Sequence, residues 1–94
     1  MVTLKEKDVV FLRHTDGIDI FALDEKRGKA LAGENENNSM YELCLTKEDV
    51  HLRRTDLITG KTFDTTLIPE MDYCLEDIKK LQEIAQQREK DVNR

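Results

Sequence analysis

An α+β fold is what this chain predicts: an antiparallel β-meander of five or six strands, a curved sheet or half-barrel, packed by one C-terminal amphipathic α-helix. Three observations carry that expectation. Short β-branched and apolar runs alternate with turn dipeptides through the first two thirds of the chain. The only proline, Pro69, closes that region. Beyond it, apolar residues recur at helical spacing with no glycine among them. The 94 residues make one domain, with the meander over about 8–68 and the helix over about 72–90.

The first strand is read at Val9 to His14, apolar on both faces at its start, as suits a strand covered on two sides. Asp16-Gly17 follows, a dipeptide that tolerates the positive φ of a tight hairpin. Ile18 to Leu23 returns as the second strand, with Asp19, Phe21 and Leu23 on one face. Asp24 to Gly28 reads as another turn with Gly28 in the left-handed position, and Lys29 to Ala32 as a short strand at a sheet edge. A helical turn is the alternative there, because alanine is a poor strand former.

Gly33 to Asn38 reads as a loop. Met40 to Leu45 alternates, with Tyr41, Leu43 and Leu45 pointing one way and Glu42 and Cys44 the other. Val50 to Arg54 is a strand with Val50, Leu52 and Arg54 on one face. Thr59-Gly60 then turns the chain into Thr62 to Ile68, whose inner face is Phe63, Thr65 and Leu67. Pro69 suits a helix start and Asp72 an N-cap. Cys74, Leu75, Ile78, Leu81, Ile84 and Ala85 form the apolar stripe.

One stretch nearly repeats. Asp8-Val9-Val10-Phe11-Leu12-Arg13-His14-Thr15-Asp16 becomes Asp49-Val50-His51-Leu52-Arg53-Arg54-Thr55-Asp56 when one residue is deleted from the first copy. Each copy runs into a glycine and a second strand. The repeat describes two hairpins of one plan, too few units for a solenoid.

Composition narrows the function classes. Charged residues make up 37% of the chain and the net charge is -5, which disfavours general binding to nucleic acid or anionic lipid and attracts a basic partner. The longest unbroken apolar run, Val9 to Leu12, is far short of a membrane span, and Met1 to Asp8 lacks the apolar stretch of a signal peptide. Two cysteines make no disulfide framework, so a reduced, cytoplasmic protein with no membrane association is expected.

No motif carries catalysis. Gly60-Lys61-Thr62 lacks the glycine that a phosphate-binding loop needs, since Thr55 stands there. His14, Cys44, His51 and Cys74 lack the close pairing of zinc ligands, and no Cys-His signature of a nucleophile is present. Glu34 to Asn38 has calcium-type oxygens without the glycine and closing glutamate of a calcium loop. No cofactor and no metal are implied. The one concentration of positive side chains on strands is Arg13, His14, His51, Arg53 and Arg54, the candidate interaction surface. Its plain alternative is cross-strand pairing with Asp19, Glu42 and Asp64.

Three readings result. The first is a small non-catalytic protein-interaction or regulatory module, bound to another protein or to itself as a homo-oligomer, through the helix or through an unpaired sheet edge at Lys29–Ala32 or Met40–Leu45. The second is a nucleic-acid-linked protein using the basic strip, or an acidic mimic of nucleic acid. The third is a small ligand-binding barrel.

Overall fold

The structure, a computed structural model, describes residues 1–33 and 38–92, with side chains to residue 88. Five strands form one antiparallel sheet in sequence order: β1 (Val9–Thr15), β2 (Ile18–Leu23), β3 (Ser39–Leu45), β4 (Val50–Asp56) and β5 (Thr62–Leu67). Among the described residues two α-helices complete it, α1 (Glu25–Ala32) between β2 and β3, and α2 (Leu75–Val92) after β5, with a single 3-10 turn at Glu6–Asp8 before β1. The sheet is open, and β1 and β5 are its edges.

The α+β meander with a C-terminal helix is thus the observed architecture. Alternation sorts the strands. Val9, Phe21, Leu23, Tyr41, Leu43, Leu45, Val50, Leu52 and Leu67 face one side, where Ile78, Leu81 and Ala85 of α2 and Leu31 of α1 close over them. Phe11 and Phe21 meet edge to face with ring centroids 5.4 Å apart. The N-terminal segment seals the same layer. Val2 donates its N–H to Asp72 O at 2.9 Å, Leu4 donates its N–H to Asp77 Oδ2 at 3.1 Å, and Leu4 is buried.

The turns obey local chemistry. Asp16 and Gly17 have φ of 52° and 76°, the paired positive values of a type I′ hairpin. Gly60, at φ 76°, donates its N–H to Asp56 O at 2.7 Å while Asp56 donates to Lys61 O at 2.8 Å, a glycine bulge.

The segment 24–32 departs from expectation. Asp24 to Gly28 is not a turn and Lys29 to Ala32 is not an edge strand. The helical alternative for Lys29 to Ala32 holds and extends back to Glu25 as helix α1, capped by Asp24, whose Oδ1 accepts from Arg27 N at 2.7 Å. Lys29 and Glu25 pair at 2.9 Å one turn apart, and Gly33 at φ 68° ends the helix by donating its N–H to Lys29 O. Gly28 is therefore inside a helix, and the reason is packing: it lies against the ring of Tyr41 on β3. Arg27 fastens the helix to the N-terminal segment through Asp8 at 3.2 Å and Thr3 O at 3.3 Å.

Three smaller differences have physical causes. β1 is covered on one side only: Val9 is buried but Val10, next to it and facing the other way, is 63% exposed. Pro69 and Asp72 do not start α2. Asp72 Oδ2 accepts from Ile68 N at 2.7 Å, Pro69 pairs with Tyr73 in a single bridge, and Glu70 Oε1 receives the Leu75 N–H at 2.9 Å. The helix begins at Leu75 because the intervening residues are committed to that loop. Met40–Leu45, expected as a possible unpaired edge, is the central strand, paired with β2 and β4 along its length.

Candidate interaction surface

The register across the sheet fixes where the five candidate residues stand. Along one row, Arg13, Ile20, Cys44, His51 and Thr66 are neighbours on the face away from the helices. The next row on that face holds Val10, Ala22, Glu42, Arg53 and Asp64. Arg13, His51 and Arg53 therefore share the open face. His14 aligns with Asp19, Leu45, Val50 and Leu67, and Arg54 with Tyr41 and Phe63, so these two lie on the helix side. His14 and His51 are on opposite faces, with two strands between theirs.

The near-repeat explains this phasing. Between Phe11 and Arg13 the β1–β2 register shifts by one residue, a β-bulge at Leu12. Val9 and Val50 both point to the core. In a regular, unbulged strand Arg13, four residues after Val9, would also point inward. The bulge restores the phase, and Arg13 emerges on the open face as Arg53 does. The one-residue difference in length between the copies is taken up by this bulge, although the sequence match itself sets Leu12 against Leu52.

Each of the five residues has a polar or aromatic neighbour. Glu42, only 6% exposed, has Arg13 at 3.9 Å and Arg53 at 4.0 Å on either side. Glu42 is on a central strand, and two guanidinium groups offset the loss of water around its carboxylate. His51 Nδ1 is 2.9 Å from Asp64 Oδ1 and 3.3 Å from Thr66 Oγ1. His14 Nδ1 is 2.6 Å from Asp19 Oδ1. Arg54 lies over the Phe63 ring at 4.3 Å from its centroid and donates to Ser39 Oγ at 3.2 Å. The cross-strand carboxylates Asp19, Glu42 and Asp64 are all engaged with this set.

The cysteines separate too. Cys44 is buried on the open face beside Ile20, and burial pushes its thiol pKa up, against the pull of nearby Arg53. A protonated, covered thiol is a poor nucleophile. Cys74 is half-buried just before α2. Among the described residues no three His, Cys, Asp or Glu side chains are grouped to hold a metal ion, and no helix is long and apolar enough to cross a membrane. The stretch Glu34–Asn37, considered above for calcium, lies outside the described residues.

A feature that sequence patterning did not single out is the β5 edge. Thr62 to Thr66 are all exposed, and β5 pairs with β4 in unbroken register from Thr62 to Thr66 and on to Leu67. The strand has no bulge, no proline and a single charge, Asp64. Sheet edges are ordinarily blunted by such devices. The other edge is blunted: β1 carries the Leu12 bulge, and a groove beside it is lined by Val10, Phe11 and Leu12 together with Ile84 and Arg88 of α2. The legible signal for β5 is its richness in threonine, with Thr62, Asp64 and Thr66 on one face and Thr65 interrupting the apolar residues of the other.

The ladder parity shows what that edge offers. Asp56 donates to Lys61 O, so this is a hydrogen-bonded position. Bonded pairs alternate in an antiparallel ladder, which makes Arg54/Phe63, Leu52/Thr65 and Val50/Leu67 the bonded pairs. The backbone N–H and C=O groups of Thr62, Asp64 and Thr66 accordingly point outward. Comparisons with known protein families, with curated proteins and with solved structures found no match to this chain.

Proposed function

We propose that this protein is a non-catalytic interaction module that takes up an extended segment of a partner protein along β5. The observation that carries this reading is the regular, unprotected edge with outward backbone groups at Thr62, Asp64 and Thr66. Strand addition draws its affinity from such main-chain groups and its selectivity from alternate side chains. Phe63, 46% exposed, stands beside Leu52, Arg54 and Ala32 at a shallow depression on the helix side, where a partner side chain can rest. The state of Cys44 supports binding rather than thiol chemistry, since burial covers it and pushes its pKa up.

The test uses a library of random peptides displayed on phage, selected against the full chain, and a Thr66→Pro variant. Proline at this position removes an outward N–H without touching the β4–β5 ladder. Selected peptides are expected to bind the wild-type chain, to shift the amide resonances of Thr62, Asp64 and Thr66, and to lose binding to Thr66→Pro. Peptides that bind the variant equally, or that shift only α2 or β1, would overturn the reading.

A further inference from the structure

We infer that the segment taken up by β5 is the β5 of a second copy, giving a two-fold symmetric dimer with one continuous ten-stranded sheet. This rests on the edge reading above and names its occupant. The argument comes from the register that β5 can form with itself. In an antiparallel pair, directly opposite residues share a face, so the symmetry axis must pass beside a residue facing its own counterpart. An axis at Asp64 sets carboxylate against carboxylate, and like charges directly opposite are destabilising. An axis at Phe63 leaves only a short overlap, Thr62 to Asp64, within the strand. The axis at Thr65 is different. It places Thr65 opposite the second copy's Thr65, Phe63 opposite its Leu67, and Asp64 opposite its Thr66, a hydroxyl facing a carboxylate. The outward backbone groups of Asp64 and Thr66 then exchange hydrogen bonds with the second copy's Thr66 and Asp64.

The same register brings together the exposed apolar residues at the two ends of β5. The β4–β5 tip carries Leu57 and Ile58, 63% and 78% exposed. The connection from β5 to α2 carries Ile68 and Met71, 51% and 68% exposed. With the axis at Thr65, the tip of one copy runs past its own Thr62 alongside the second copy's Ile68 and Met71, and symmetry repeats the contact. A strand edge alone is small against the roughly 1,200–2,000 Å² that stable interfaces hide. The apolar ends enlarge it. The charge of -5 on each copy opposes the pairing, so added salt strengthens it, the reverse of what salt does to nucleic-acid binding.

Sedimentation velocity of the full chain over a range of concentrations, at low and high salt, tests the dimer. Disulfide trapping tests its register. In a Cys74→Ser background, Thr65→Cys is expected to give an oxidised covalent dimer, since directly opposite non-hydrogen-bonded residues sit about 4.5 Å apart at Cα, inside disulfide reach. Asp64→Cys is expected to be trapped several-fold more slowly. Thr66→Pro is expected to leave a cooperatively folding monomer. A wild-type chain that stays monomeric at all concentrations and is not trapped through Thr65→Cys overturns the dimer. If it nevertheless binds selected peptides at Thr62, Asp64 and Thr66, the edge reading stands and only the occupant is wrong. A dimer that survives Thr66→Pro uses another surface and overturns the β5–β5 pairing, while the peptide result decides the edge reading separately. Faster trapping through Asp64→Cys overturns the register.

Discussion

Replacing Gly28 by alanine should destabilise this protein, although the same change stabilises most helices. Gly28 is the fourth residue of α1, and a Cβ at its position would fall 2.1 Å from Tyr41 Cγ, 2.5 Å from Cδ2 and 2.6 Å from Cβ. Carbon–carbon contacts sit at about 3.5–4.0 Å, so the helix and the ring must separate by roughly 1.5 Å. Neither is free to move. Tyr41 is 1% exposed on the central strand. The helix is held by Arg27 to Asp8 and Thr3, and by Leu31 in the core. At an unhindered site, alanine would gain about 0.5–1 kcal/mol over glycine. Overpacking costs about 1–3 kcal/mol, and more when backbone must shift. The net expectation is a loss of about 2 kcal/mol. For a domain of this size that lowers Tm by on the order of 10 °C. Urea unfolding followed by far-ultraviolet circular dichroism measures it, with the m-value unchanged. Ala30→Gly on the exposed side of the same helix serves as the control and should lose only about 1 kcal/mol. A midpoint for Gly28→Ala at or above wild type would refute the packing of α1 on β3.

Two further perturbations probe single groups. The Tyr41 hydroxyl is buried with no hydrogen-bond partner among the described residues, so Tyr41→Phe should be neutral or gain up to about 1 kcal/mol in urea unfolding; a clear loss would mean the hydroxyl is bonded. The Asp56 carboxyl is held below its ordinary value by the backbone N–H groups of Thr59 and Ile58, which donate to its Oδ1 at 3.1 and 2.8 Å. A lowered pKa favours the folded state above the ordinary carboxylate value near 4 and loses that contribution as pH falls through the folded value. Asp56→Asn should therefore be less stable than wild type at neutral pH and converge with it in acid. A difference that grows as pH falls would reverse the assigned direction.

Much of this fold is legible because it is local. The Asp16-Gly17 and Gly60 turns are set by which residues accept positive φ, and the alternation of Tyr41, Leu43 and Leu45 follows from the two-residue repeat of a strand. The stripe through Ile78, Leu81 and Ala85 needs only the helical repeat. Even α1 left local marks: Asp24 at the cap and Glu25 one turn before Lys29. Gly28 obscured them, since a glycine suits a turn and a tight helix–strand contact equally, and only Tyr41 decides between the two.

What the sequence by itself determined was the five strands, the C-terminal helix and how the residues of β2 to β5 divide between two faces, because these depend on residues within a few positions; α1 and the facing of β1 did not follow from it. Tertiary structure alone decided which strands are edges, since that depends on what lies beside each strand in space. It also decided the fate of the basic residues. The bulge at Leu12 and the pleat divide Arg13, His51 and Arg53 from His14 and Arg54, because a sheet has two faces and one inserted residue exchanges them. The β5 edge belongs to the same category. Its threonines look ordinary in the chain and form an exposed sheet edge only because, among the described residues, no sixth strand lies beyond them.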